Sequence, residues 1–253
     1  MWPHRISETA AQNLARIRQI HEEAERDDAE TLARIFEDPG IRSPDGAAGR
    51  IGALLDATAH RWLPGRSCFL DVPGLHELSG FSDRGFRTDL RDPWPVSRDQ
   101  VGHVLTALAL FLRPGIVRAK RFGFTLRRLG GADPELSDDE VALRFAIGHE
   151  KTSDPGRYDP LMLLKVRRQY RSATTADVHA FREAVRGQVG ASLVDLAQLR
   201  GDLTSVAVGH GTGNSPQDLT LTALGALLAE DIRSGAISRR EDVAAWVRSN
   251  LAG

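Results

Sequence analysis

A serine or threonine followed three residues later by an acid or amide, and then by an apolar run of helical period, recurs along this chain. Ser97-x-x-Gln100, Ser137-x-x-Glu140 and Ser238-x-x-Glu241 each read as a reciprocal capping box. In that motif the first side chain accepts from the backbone N–H three residues on, and the last side chain reaches back. Thr174-x-x-Asp177 and Ser215-Pro216-Gln217-Asp218 are looser versions, the second with proline at the first helical position, where its missing N–H is no loss. Start signals repeated in this way commit the chain to helix.

The periodicity predicts helices at 8–37 (with a break near Asp27-Asp28), 47–62, 98–112, 138–150, 161–171, 175–187, 190–200, 216–233 and 239–251. Pro39-Gly40, Pro64-Gly65, Pro114-Gly115 and Gly235 are suitable stops. Short strand candidates lie at 67–72 and 121–126, the second alternating Phe122, Phe124 and Leu126 with polar neighbours. The expected fold is all-α, an irregular multi-helix bundle with at most a minor β-hairpin. The helix of 98–112 has almost no polar face and should be central. Residues 1–63 form an N-terminal helical segment packed on the main body, 64–96 an irregular connection rich in proline and glycine, and 97–253 the main helical domain.

Composition narrows the class. Hydrophobic residues make up 41% of the 253 and charged residues 26%, which is ordinary for a soluble globular protein. The formal net charge of -1 means that the chain as a whole is not built to neutralise phosphate or a membrane surface. Six bases and no acid occur in 113–128, and five acids follow in 133–140. The simplest expectation is that these blocks face each other; a nucleic-acid contact through the basic run, with Phe122 and Phe124 interleaved, is the weaker alternative. Cys68 is the single cysteine, so neither an intrachain disulfide nor a thiolate metal cluster can form. No window approaches ~18 uninterrupted apolar residues, and the opening MWPHRISETA has no apolar stretch of the signal-peptide kind, so a cytoplasmic setting is expected.

Two of the predicted helices carry histidines where apolar side chains would be expected. His103 sits in the middle of 98–112, one turn after Asp99. In 138–150, Val141, Phe145 and His149 share a stripe, and Glu150 follows. Burying ionisable groups is costly unless they are paired, so such groups mark either a satisfied core network or a site. Asp99, His103, His149 and Glu150 are therefore the candidate catalytic residues, with the two histidines as acid and base, Glu150 as the charged partner and Asp99 orienting His103. The same residue types could hold a divalent metal, although no single helix carries two ligands plus a base in the manner of H-E-x-x-H. No other cofactor is implied.

Two further stretches supply candidate substrate-binding residues. Arg91 and Trp94 lie in a proline-bearing segment directly before the His103 helix. His210, Asn214 and Asp218 belong to a glycine-rich turn that runs into a capped helix, an arrangement whose free backbone N–H groups suit an anion. That turn has no P-loop lysine and does not match G-x-G-x-x-G, and no G-x-S-x-G nucleophile elbow occurs. The leading expectation is a small bacterial enzyme, a hydrolase or lyase using histidine–carboxylate acid–base chemistry in a cleft between two buried helices. Its substrate would be a small molecule or a polymer. The alternatives are a non-catalytic helical binding or regulatory module, and a bacterial effector or toxin acting on cell-wall or nucleic-acid polymer.

Overall fold

The computed structural model describes residues 7–58, 84–91, 100–118, 126–152, 162–206 and 215–253. The strand candidate at 67–72, nearly all of that at 121–126, the last turn of the helix predicted at 47–62, and Ser97 with the start of its box lie outside the described residues.

The chain begins with α1 (Glu8–Glu23) and α2 (Asp28–Glu37). Ser7 caps α1 by accepting from the Ala10 N–H, and Asp27 caps α2 by accepting from the Glu30 N–H. Between them Glu25 and Arg26 take φ values of 53° and 61°, so the chain reverses where the sequence predicts a break. There follow α3 (Gly46–Thr58), a 3-10 turn at Thr88–Leu90, α4 (Gln100–Leu112), a second such turn at Pro114–Arg118, α5 (Leu126–Gly130), α6 (Asp138–Thr152) and α7 (Met162–Ser172). The chain closes with α8 (Thr175–Arg186), α9 (Leu196–Leu203), α10 (Pro216–Ser234) and α11 (Arg240–Asn250). The described residues contain no sheet; the Phe86–Ala252 pair is an isolated antiparallel bridge.

The capping chemistry accounts for both the agreements and the shifts. Thr174 and Asp177 form the complete reciprocal box at the start of α8. Ser137 and Ser215 accept from the Glu140 and Asp218 N–H groups, and Pro216 opens α10. The box predicted at Ser238 does not form. Arg239 is the cap residue of α11, the Glu241 carboxylate pairs with Arg240, and the Ser238 carbonyl accepts from the Ala47 N–H of α3. The helix predicted at 190–200 begins only at Leu196, because Gly190 turns at φ 80° and Asp195 caps the Ala197 and Gln198 N–H groups.

Helix α4 is central, as expected. Val101, Val104, Leu105 and Leu108 are all buried, each such aliphatic side chain contributing about 1.5–3 kcal/mol. Its main partner is α10, which is buried from Asp218 to Ala229. The two backbones approach closely at Gly225, where an added Cβ would collide with the Val104 carbonyl. Helix α6 also packs on α4, and α7 packs on α6. There Gly148 plays the same part: a Cβ would run into the Gln169 carbonyl.

One hydrophobic core extends from Leu14, Ile17 and Ile20 of α1 through α4 and α10 to Val243 and Val247 of α11. The N-terminal helices thus pack in cis, and Arg248 of α11 grips both Glu30 and Glu37 of α2. A smaller cluster joins Leu110, Val141, Phe145 and Tyr170. In the basic run, Arg118 and Arg127 both pair with Asp138, so these members of the two charge blocks do face each other. No helix among the described residues is long and apolar enough to cross a membrane.

Candidate functional site

The close packing of α4, α6 and α10 brings three ionisable side chains to one point. His103 projects from the middle of α4, Glu150 from near the end of α6, and Asp218 from the first turn of α10. The His103 Nδ1 lies 3.1 Å from Glu150 Oε1, and its Nε2 lies 3.5 Å from Asp218 Oδ1. One imidazole therefore stands between two carboxylates. All three are buried: His103 is 9% exposed, Glu150 2% and Asp218 0%.

Neighbouring polar groups complete the arrangement. The Thr222 hydroxyl, one turn after Asp218 on α10, donates to Glu150 Oε1 at 2.7 Å. His149 is half-buried, its ring 6.0 Å from that of His103 and tilted by 48°. The Gln169 side-chain amide of α7 meets His149 Nδ1 at 3.1 Å, a contact that the close approach at Gly148 allows. His103, His149 and Glu150 each offer a ligand atom, and these atoms lie within 4.8 Å of one another.

Glu150 is held as a carboxylate. Burial pushes its pKa up, but the charge and hydrogen bond of His103, the charge of His149 and the Thr222 hydrogen bond outweigh that effect and bring it down to about 2. Its second oxygen, Oε2, is buried and has no hydrogen-bond partner among the described residues. Such an arrangement can hold and pass a proton between imidazole and carboxylate, or gather nitrogen and oxygen ligands around a cation.

The structure thus unites His103, His149 and Glu150, as the sequence predicts, and adds Asp218 from what reads in the sequence as a separate stretch. Asp99, Trp94, His210 and Asn214 lie outside the described residues, as do 97–99 and 153–160, which would border the predicted cleft. Arg91 donates to the Phe86 carbonyl at 2.8 Å, fastening its own loop. Sequence reasoning misses Thr222 and Gln169. A signal exists for the first: Asp218 and Thr222 stand four apart, hence on one face, at the start of a helix that is then apolar from Ala223 to Ala229. His21 is a core histidine, its Nδ1 3.1 Å from the Thr31 hydroxyl. No family model, curated protein or solved structure matches the chain.

Proposed function

We propose that the chain is a hydrolase- or lyase-type enzyme that works by proton transfer at the His103–His149–Glu150–Asp218 cluster. The observation that carries this reading is the placement of His103 between two buried carboxylates, with a second, half-buried histidine beside it. Gathering two carboxylates and two imidazoles among apolar helices costs desolvation energy that a purely structural histidine would avoid. In this reading His149 exchanges a proton with the substrate or with water. Glu150, Asp218 and His103 hold the charge that this exchange demands.

The test is a screen of the purified chain against generic ester, phosphodiester, glycoside and peptide substrates, run alongside His149→Ala and Glu150→Gln. Turnover by the wild type that falls about 100-fold or more in both variants, with helical circular dichroism retained, supports the proposal. Turnover equal in all three proteins overturns it. A binding module predicts no turnover on any substrate.

A further inference from the structure

We propose that His103, His149 and Glu150 bind a divalent metal ion of the zinc type, with Asp218 and Gln169 orienting the two histidines. With zinc bound, His149 serves as a ligand in place of the proton-exchanging role proposed above, and zinc binding can be measured without any substrate.

The donor set is two imidazole nitrogens and one carboxylate oxygen, a combination that holds zinc with a coordination position left for water. The three ligand atoms already lie within 4.8 Å of one another. One edge of the site is nearly formed: His103 Nδ1 and Glu150 Oε1 are 3.1 Å apart. Ligands at about 2.1 Å from a tetrahedral ion are separated by about 3.4 Å.

The surroundings fit as well. Asp218 Oδ1 lies 3.5 Å from His103 Nε2, so its carboxylate charge faces the far nitrogen while Nδ1 faces Glu150. Carboxylate–histidine–metal arrangements of this kind fix both the tautomer and the ring orientation. With its amide turned so that the oxygen accepts from Nδ1–H, Gln169, whose amide meets His149 Nδ1 at 3.1 Å, would do the same for that ring, and the Thr222 hydroxyl holds Glu150 Oε1. The remaining carboxylate oxygen, Glu150 Oε2, is buried with no hydrogen-bond partner among the described residues. A buried polar oxygen left in that state is costly, and a cation held by both oxygens of the carboxylate would satisfy it.

The experiment is calorimetric titration of the chelator-treated full chain with zinc alone, repeated with His149→Ala, Glu150→Gln and Asp218→Asn. One equivalent should bind in the wild type. His149→Ala and Glu150→Gln should weaken binding about 100-fold or more, and Asp218→Asn about 10- to 100-fold. His149 is half-buried, so its variant is expected to fold, and circular dichroism checks each protein. Cobalt substitution gives a second readout, since the visible bands of a tetrahedral site should appear in the wild type and not in His149→Ala. Absence of stoichiometric binding overturns the inference, as does binding unchanged in His149→Ala and Glu150→Gln. Turnover by a chain that binds no zinc would overturn this inference and leave the acid–base reading standing. Zinc bound at these residues with no turnover on any substrate would do the reverse.

Discussion

Asp218 approaches His103 to 3.5 Å, although the two belong to helices that the sequence reads as unrelated sites. The meeting depends on Gly225, which lets α10 lie against the α4 backbone. The geometry of the cluster is therefore a property of backbone packing as much as of the polar residues themselves.

Gly225→Ala should destabilise the protein by about 1–3 kcal/mol, since the new methyl group must push α10 away from the Val104 carbonyl. Gly148→Ala should act similarly through the Gln169 carbonyl. Thermal or denaturant unfolding measures both. An unchanged midpoint in either variant would show that the close approach is not needed there.

Glu150→Gln should flatten the acid limb of the stability profile. The folded pKa of Glu150, about 2, lies below its ordinary value of 4.5. A depressed carboxyl contributes stability that is present above the unfolded pKa and is lost as pH falls through the folded one. The contribution is on the order of 3 kcal/mol for this buried group, lost between about pH 5 and pH 2. Denaturant titrations of wild type and variant across that window should converge as pH falls.

Thr222→Val removes the hydroxyl that donates to Glu150 Oε1 at 2.7 Å while keeping the shape of the side chain. The expected cost is about 1–3 kcal/mol at neutral pH, as for a hydrogen bond to a charged group. The folded pKa of Glu150 should rise, moving the acid limb to higher pH. Equal acid limbs in the two proteins would count against the hydrogen bond.

Arg248→Ala tests how the N-terminal helices are held. Arg248 pairs with Glu30 and Glu37, and the Arg248 hydrogen bond is the largest influence holding the Glu30 carboxyl below its ordinary range. These groups are partly exposed and screened by solvent, so the loss should be only about 0.5–1 kcal/mol. It should shrink in high salt and at acid pH, where Glu30 becomes protonated. Unfolding at low and high salt checks this.

Much of the fold is legible in the sequence because helix starts and apolar periods are local. Thr174, Ser137 and Ser215 mark true starts, and the break after Glu23 falls close to the predicted position. Ser238 misleads because its carbonyl and its neighbours are engaged by α3 and by arginine pairs, which no local pattern reveals. In the site, His103 and His149 announce themselves as polar residues among apolar positions of their helices, and Glu150 directly follows His149. Asp218 is visible only as part of a glycine-rich turn, because which helices touch is decided by long-range packing at Gly225 and Gly148.

The burial of α10 from Asp218 to Ala229 has a consequence for how the protein breathes. Amide hydrogens in such a helix exchange with solvent only when the surrounding bundle opens, so they should be among the slowest to do so. Asp218 and Thr222 sit on that segment. The buried side of the cluster is thus fixed to the segment expected to open least, while His149, its half-buried member, stands on α6.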